Sequence, residues 1–204
     1  MLKQQKFTSM LALIIAGEAI FLLPFVLVRV FRPTILEVFQ INNFELGTLF
    51  SIYGIIAMGS YFLGGPIADK FESRKLMATA LVLTALGGVF IATIPAVSNL
   101  KIIYGFWGMT TILLFWAALI KATREWGTKE TQGMSFGLLE GGRGTFAAII
   151  ATFSVLIFSL FFTNEADSVS YIQKKEALKM IILFVVGIVL IVAVFVWFFL
   201  PKPA

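Results

Sequence analysis

Long apolar stretches, separated by short polar segments, make up almost the whole chain. A window of about 20 residues, the length needed to cross a hydrocarbon core of about 30 Å, finds six such stretches. A backbone in lipid must satisfy its own hydrogen bonds, and the chain lacks the alternating pattern of barrel strands, so we predict six transmembrane helices. The predicted fold is therefore all-α, a polytopic membrane bundle over residues 1–204, with approximate spans 8–30, 44–63, 76–94, 102–120, 132–161 and 177–199.

Capping residues mark where several of these helices are expected to begin. Asn42 is followed three residues later by Glu45, and Ser170 by Gln173, which is the pattern of a capping box. Thr128 precedes the predicted fifth span. The first stretch is too long for the apolar core of a secretory signal and lacks a clear cleavage site, so we expect it to remain as the first helix.

Composition agrees with a bilayer location and limits the chemistry that the chain can perform. Of the 204 residues, 59% are hydrophobic and 13% are charged, a balance outside the range of ordinary soluble domains. With no cysteine and no histidine, any proton chemistry has to use carboxylates, and a Cys/His metal site is excluded. There is no phosphate-binding loop and no nucleophile elbow, so we expect neither enzymatic activity nor a cofactor.

The distribution of basic residues predicts the orientation of the chain. Six spans place both termini on one side of the membrane, and with that side inside, the inner segments hold more basic residues than the outer ones. We therefore expect a multi-pass protein of the cell membrane, either a plasma membrane or a bacterial inner membrane, with both termini in the cytoplasm. The inner residues are Lys3, Lys6, Lys70, Arg74, Lys75, Lys121, Arg124, Lys129 and Lys202, and the outer ones are Arg29, Arg32, Lys101, Lys174, Lys175 and Lys179. They form no continuous stripe, so nucleic acid is not an expected partner.

The segment GGPIADKFESRK, residues 64–75, gathers charge between the predicted second and third spans. Its residues Gly65, Asp69, Lys70, Arg74 and Lys75 resemble the loop signature of the major facilitator superfamily, which lies between the second and third helices of that family. The resemblance implies a gating loop, whose aspartate rests against the N-terminus of a helix in the opposite half of the molecule and is held by the loop's own arginine. The positive end of a helix dipole favours such a carboxylate by about 0.3–1 kcal/mol.

One residue of this loop departs from the family pattern. Glu72 stands where the family usually has glycine, so the resemblance does not imply the family's backbone conformation at this turn. The residues also permit a simpler interpretation, in which the loop is solvated and an exposed pair of Asp69 and Arg74 contributes almost nothing to stability.

The six predicted helices differ in composition. The third and sixth are apolar on all sides, which is typical of lipid-facing helices, whereas glycines and polar residues fall on the first, second, fourth and fifth. This division is similar to a half-bundle of the major facilitator superfamily. That resemblance implies that the third and sixth helices lie outermost, that the first and fourth line the solute cavity, and that the second and fifth form the interface between the two halves.

Three ionisable residues are predicted to lie at membrane depth. Glu140 and Arg143 are three residues apart and share one face of the fifth helix. A rise of about 1.5 Å per residue places Glu18 of the first helix at a similar depth, so one arginine is expected to face two carboxylates. A charge within a membrane is a functional hypothesis by default. Two alternatives remain at this stage: the surplus carboxylate takes up and releases a proton during transport, or the group is a structural pair that fixes helix register.

A second cation is a candidate for binding the solute. The segments FVLVRVFRP, residues 25–33, and REWGTKETQG, residues 124–133, resemble the organophosphate:phosphate antiporter branch of the superfamily. The resemblance implies that Arg29 holds the anionic group of the solute, for which the planar guanidinium fork is suited. By residue count, however, Arg29 lies near the end of its helix, where it can simply extend to the membrane interface.

The chain corresponds to one half of the family's twelve-helix architecture, in which two six-helix halves enclose the cavity. The expected partners are the lipid bilayer, a small-molecule solute and a second six-helix half, supplied either by the rest of a longer chain or by a second copy. We predict half of a secondary transporter for a small organic solute, expected to be anionic, that works by alternating access. The alternative is a non-transporting, truncated remnant or membrane scaffold that needs a second half-bundle.

Overall fold

The structure, a computed structural model, describes residues 2–160 and 170–201, and the side chains from Lys6 onward. Within these residues the chain forms α-helices and no strand. The α-helices are α1 Leu2–Phe21, α2 Leu27–Val30, α3 Arg32–Val38, α4 Asn43–Lys70, α5 Ser73–Ile91, α6 Val97–Met109, α7 Ala117–Trp126, α8 Gln132–Ser159 and α9 Tyr171–Phe199, and two π-helical segments lie at Leu22–Val26 and Thr110–Trp116. The side chain of Lys3, together with Phe161 and Lys202, lies outside the described part.

These helices form six spans that are long and apolar enough to cross a membrane, which confirms the all-α, six-helix prediction. In chain order the six spans are Lys6–Val30, Asn43–Lys70, Ser73–Ile91, Val97–Trp126, Gln132–Ser159 and Tyr171–Phe199. The predicted end of the second span at residue 63 was wrong, because α4 continues through Pro66 to Lys70. The predicted third span, 76–94, was displaced, since the helix covers Ser73–Ile91. The predicted fourth span, 102–120, was too short, since the helical segment covers Val97–Trp126. Polar residues at helix ends can still have helical backbone geometry.

Two of the three predicted caps are present. The side chain of Asn42 accepts a hydrogen bond from the backbone N–H of Glu45, whose own carboxylate accepts one from Asn42. Ser170 and Gln173 form the same reciprocal pair at the start of α9. The expectation for Thr128 was wrong, because the N-cap residue of α8 is Thr131. Thr128 is part of the preceding turn, and its backbone N–H donates to the Thr131 hydroxyl at 2.9 Å.

Helix α8 starts immediately after that turn, at Gln132, and Thr131 occupies its N-cap position without a side-chain cap bond.

The order of packing places the first span at the centre of the bundle, where it contacts the fifth and sixth spans. The second span packs mainly on the fourth, and the third on the sixth. Both ends of the described chain lie on one side, since Ser9 Oγ donates to the Phe199 carbonyl at 3.0 Å and Trp126 Nε1 donates to the Lys6 carbonyl at 2.7 Å. We call this the terminal side and the opposite one the distal side.

Exposure is distributed differently from what composition alone suggested. Of the most apolar stretch of each span, 67% is buried in the first and 56% in the third, but only 28% in the second and 11% in the fifth. The third span is therefore largely packed inside the bundle rather than being mainly lipid-facing. The reason is that an apolar side chain packs as well against another helix as against lipid, so all-round apolarity does not identify the exposed face.

A close contact between the second and fourth spans gives a prediction about stability. A Cβ atom added at Gly108 would lie 2.5 Å from the backbone oxygen of Tyr53, whereas one at Gly105 would meet Ile52 at an ordinary 3.5 Å. We expect Gly108→Ala to lower the free energy of unfolding by about 1–3 kcal/mol, because the second span must shift to avoid the overlap.

The control for this prediction is Gly105→Ala, which has the same helix-propensity gain without the overlap. Thermal unfolding of the purified chain in detergent measures both variants. Equal melting temperatures for the two variants would contradict the packing described here.

Candidate functional site

A cavity of about 570 Å³ lies between the first, second, fourth and fifth spans. Its wall is mostly apolar and aromatic, and three ionisable side chains, Glu18, Arg29 and Arg143, reach it. The four spans are those in which the sequence placed glycines and polar residues. The third and sixth spans contribute no lining residue among those the structure describes.

Arg143 lies between the two carboxylates that sequence reasoning placed at its depth. Its Nη1 donates to both oxygens of Glu140, at 2.8 and 3.0 Å, because a separation of three residues places the two side chains on one helix face. Its Nε lies 3.4 Å from Oε2 of Glu18 on the first span, without a hydrogen bond. One guanidinium therefore faces two carboxylates, and its contact with Glu18 is the weaker of the two.

Aromatic rings and close helix packing hold Arg143 in place. Its guanidinium carbon lies 5.6 Å from the ring centroid of Phe21 and 5.4 Å from that of Trp116, within the range of cation–π attraction. The fifth span can approach the first because Gly142 has no side chain. A Cβ there would lie 2.6 Å from Cγ2 of Ile14.

The two carboxylates have different surroundings. The side chains of Glu18 and Arg143 are each 13% exposed, whereas that of Glu140 is 59% exposed. Glu140 therefore lies at the open face of the fifth span, and Glu18 lies inside the bundle. Among the residues described, no group of three carboxylates converges as a metal site would require.

Arg29 lines the cavity at the end of the first span and is exposed. It forms no ion pair within the described part of the chain, although it is close enough to attract Glu18 electrostatically. Its position in α2, the last turn of the span, agrees with the residue count made from the sequence. The side chain faces the cavity there, which makes it accessible to an anion that enters the cavity.

Sequence reasoning did not identify two features of the cavity wall, the π-helical segments and the row of second-span residues that faces the cavity. The π-helical segments Leu22–Val26 and Thr110–Trp116 both contribute lining residues, and such segments are frequent at functional sites. Pro24, which has no N–H to donate, was a signal for the first segment. The four-residue spacing of Tyr53 and Ala57, continued at Tyr61, was a signal for the second-span wall.

The loop between the second and third spans differs from the arrangement that the resemblance implied. Gly65, Asp69 and Lys70 all lie in α4, so Asp69 is on the last turn of a helix and is exposed. Asp69 forms no ion pair among the residues described. The expected Asp69–Arg74 pair is therefore absent, because Arg74 Nε instead pairs with Glu72 at 2.9 Å.

Glu72 organises this loop. It also accepts from Lys75, whose Nζ lies 2.7 Å from Oε1 of Glu72, and Arg74 packs over the ring of Trp197 at 5.1 Å. The φ angle of Glu72 is −63°, so this position needs no left-handed conformation and accommodates glutamate where the family usually has glycine. A second cavity, of about 480 Å³, lies beneath the loop on the terminal side.

The charges around Glu72 predict a pH-dependent contribution to stability. Hydrogen bonds from Lys75 and Arg74 hold the pKa of Glu72 below its usual range. This contribution is fully present above the unfolded pKa, about 4.3, and is lost as pH falls through the lower folded pKa. We expect Glu72→Gln to lower the melting temperature at pH 7 but not at pH 3, with Glu125→Gln, which removes no ion pair from the described residues, as the control. A lower melting temperature of Glu72→Gln that persists at pH 3 would contradict the stabilising role given to the Glu72 carboxylate.

A sequence profile described as the Major Facilitator Superfamily matches residues 9–204. The inner membrane proteins YqcE and YihN of Escherichia coli (strain K12) are 33% identical over 158 residues and 29% identical over 161 residues, which cover 78% and 79% of this chain and 35% and 38% of the relatives.

A third relative is an uncharacterized MG294 homolog of Mycoplasma pneumoniae (strain ATCC 29342 / M129 / Subtype 1). It is 29% identical over 216 residues, covering 98% of this chain and 45% of the relative. The chain thus spans less than half the length of each of these three relatives. No solved structure matches the chain at a significant level.

Proposed function

The chain belongs to the Major Facilitator Superfamily, and from this membership we propose that it forms one half of a secondary transporter for a small organic anion. Members of the family are membrane transporters rather than enzymes. Transport proceeds by alternating access, in which two half-bundles rock around a central site. The observation that supports an anionic solute is a cation on the wall of an intramembrane cavity that forms no ion pair with the residues the structure describes.

That cation is Arg29. Arg143 also reaches the cavity, but Glu140 and Glu18 already balance its charge. A planar guanidinium pairs bidentately with phosphate, sulfonate or carboxylate. The resemblance of residues 25–33 and 124–133 to the organophosphate:phosphate antiporter branch supports the same role for Arg29. Glu18, Glu140 and Arg143 are proposed to complete the solute site.

A second six-helix bundle is proposed to cover the second and fifth spans. Eight glycines on these spans have open space where a Cβ would be: Gly47, Gly54, Gly59, Gly65, Gly133, Gly137, Gly141 and Gly144. Small residues let helix backbones approach closely in membranes, so an exposed face rich in glycine is typical of a helix–helix interface. The rest of a longer chain or a second copy of this chain could supply that bundle, and in both cases the cavity lies at the interface.

Crosslinking distinguishes these two sources. The chain contains no cysteine, so Asp69→Cys and Thr131→Cys can be introduced together without interference. If two copies pair, Asp69 at the end of α4 in one copy is expected to meet the start of α8 in the other, and crosslinked products of dimer mass are expected. Products of monomer mass alone would exclude the homodimer and leave the longer chain as the source.

Asp69 is proposed to close the terminal side of the pathway, with Gly65, Lys70, Arg74 and Lys75 as the rest of the gating loop. The exposed carboxylate on the last turn of α4 is free to approach a helix N-terminus of the second bundle, where the helix dipole favours a negative charge. Arg74 contributes by fixing the loop through Glu72 rather than by holding Asp69 directly.

The carboxylate surplus around Arg143 supports proton coupling. Glu140 occupies Nη1 of the arginine, while Nε has no hydrogen bond to Glu18, so one acid remains weakly held and can take up a proton. Replacing Glu140 by glutamine removes the surplus, because Glu18 is then the one carboxylate of the two that faces Arg143, and this separates proton coupling from a purely structural pair. A coupled carrier loses solute accumulation driven by a pH gradient, whereas accumulation that still follows the gradient would leave only the structural role.

The proposed orientation places the terminal side in the cytoplasm, on the basis of the positive-inside bias. A multi-pass membrane location itself follows from the six apolar spans and agrees with relatives named inner membrane proteins. Protease-cleavable or fluorescent tags fused to the two ends of the chain check the orientation when an external protease is added to intact cells. Access of an external protease to either end would reverse it.

Uptake into proteoliposomes tests the proposed function. Vesicles that contain the chain are expected to accumulate a radiolabelled organic anion when an opposing solute or pH gradient is applied. Flux that appears only after a second half-bundle is added supports the half-transporter. No flux under either condition would favour the alternative, a scaffold or remnant without transport activity.

A further inference from the structure

The wall that this chain contributes to the cavity offers few groups for hydrogen bonding. Among its thirteen lining residues there is no serine, threonine, asparagine or glutamine. The hydroxyl of Tyr53 is already hydrogen-bonded to that of Thr111 at 2.7 Å, and Glu18 and Arg143 face one another. The groups left without a hydrogen bond or ion pair to the described residues include Arg29 and Tyr61.

A solute with many hydroxyl groups is poorly suited to such a wall. Each hydroxyl that leaves water without finding a hydrogen-bond partner costs free energy, so several such hydroxyls on one solute together weaken its binding. Of the two arginines on this wall, Arg143 pairs with carboxylates, whereas Arg29 makes no ion pair with the described residues. The polar part of the wall therefore matches a single anionic group.

The apolar part of the wall is rich in aromatic rings, and ring contacts hold Phe25 and Tyr53 in place. Phe25 stacks on Phe50 with a centroid distance of 5.6 Å and packs edge-on against Tyr53 at 4.8 Å. Tyr61, two helical turns from Tyr53, is 56% exposed. Rings fixed in this way provide a surface on which a flat ring can pack, because aromatic pairs favour offset-stacked and edge-on contacts.

We infer that the solute is an organic monoanion with a flat, aromatic body, bound with its anionic group on Arg29 and its ring against Phe25 and Tyr61. This inference rests on the proposed function, since it assumes that the cavity is the solute site. Phe21 and Trp116 are less available for the ring because they pack on the guanidinium of Arg143. The chemistry of the wall thus selects for the body of the solute as well as for its charge.

Equilibrium binding to the full chain in lipid nanodiscs tests this inference without requiring transport. The two probes are benzoate and glucuronate, which are both carboxylate monoanions on six-membered rings but differ in aromaticity and in hydroxyl groups. We expect benzoate to bind at least about tenfold more tightly than glucuronate, because the hydroxyls of glucuronate lack partners and its ring cannot stack as an aromatic ring does. Isothermal titration calorimetry measures both affinities.

Two variants locate the ring. Tyr61→Ala is expected to weaken benzoate binding about threefold to tenfold through the loss of ring packing, and Tyr61→Phe to retain it. Equal or tighter binding of glucuronate, no saturable binding of benzoate, or an unchanged affinity in Tyr61→Ala would each overturn the inference.

The outcomes also separate this inference from the proposed function. Vesicles that transport a polyhydroxylated anion in preference to benzoate would retain the transporter and reject the aromatic solute. Benzoate binding that depends on Tyr61 but is accompanied by no flux, even with a second half-bundle present, would retain the binding site and reject the transporter.

Discussion

Replacing Arg143 by glutamine is expected to lower the free energy of unfolding by about 3–5 kcal/mol, among the largest effects of any single change in the chain. The reason is that Glu18 is left as a nearly buried carboxylate without a counter-ion, since its side chain is only 13% exposed. Thermal or denaturant unfolding in detergent measures the loss. Arg143→Lys is expected to recover part of it, because lysine restores the charge but not the planar fork.

A double variant provides the control for Arg143. Adding Glu18→Gln to Arg143→Gln removes the stranded charge, while Glu140, with a side chain 59% exposed, can be solvated. The double variant is therefore expected to be more stable than the single one. If Arg143→Gln unfolds like the unmodified chain, or if the second change brings no recovery, Arg143 does not balance the two carboxylates as described.

Replacing Arg29 by glutamine is expected to weaken the apparent affinity for organic anions about tenfold to a hundredfold, the value of a charge-assisted hydrogen bond of 1.5–3 kcal/mol. Arg29→Lys is expected to be intermediate, because an ammonium is a point charge without the bidentate geometry. Stability should change little, since the side chain is exposed and has no ion pair to lose within the described residues. The concentration dependence of uptake into proteoliposomes measures the effect.

Arg32 supplies a matched control for Arg29. It lies three residues further along, and its Nη2 donates to Oδ1 of Asn43 at 2.9 Å, outside the cavity lining. Arg32→Gln removes the same charge from the distal side of the bundle and is expected to leave anion affinity unchanged. Equal losses in the two variants would mean that Arg29 acts through general surface charge rather than as a binding group.

Much of the fold is encoded in patterns that depend only on neighbouring residues. Apolar length predicts the six spans. The capping boxes at Asn42 and Ser170 predict two helix starts, because each box depends on contacts within one helical turn. The pairing of Glu140 with Arg143 is predictable for the same reason. The approach of Glu18 to Arg143 was predicted by counting residues to estimate the depth of each side chain in the membrane. This count works when both helices cross the whole membrane.

Two other features were not predicted: the ion pair of the loop after α4, and the face that each helix buries. The partner of Arg74 is Glu72 rather than Asp69, because α4 continues as a helix and holds Asp69 on its last turn. A local charge pattern does not reveal where a helix ends when polar residues are compatible with both helix and loop. Similarly, the face that a helix buries depends on its neighbours, so the glycine-rich second and fifth spans are more exposed than the wholly apolar third.

Water access to the cavity is the most direct test of the central claim, that these intramembrane charges line a solute pathway shared with a second bundle. Met58→Cys places a thiol on the cavity wall, and Val194→Cys places one on an exposed apolar face of the sixth span. Each is reacted with a membrane-impermeant maleimide in vesicles. The account predicts labelling at residue 58, slowed by a transported anion, and none at residue 194. Equal protection of both positions from the reagent would contradict it.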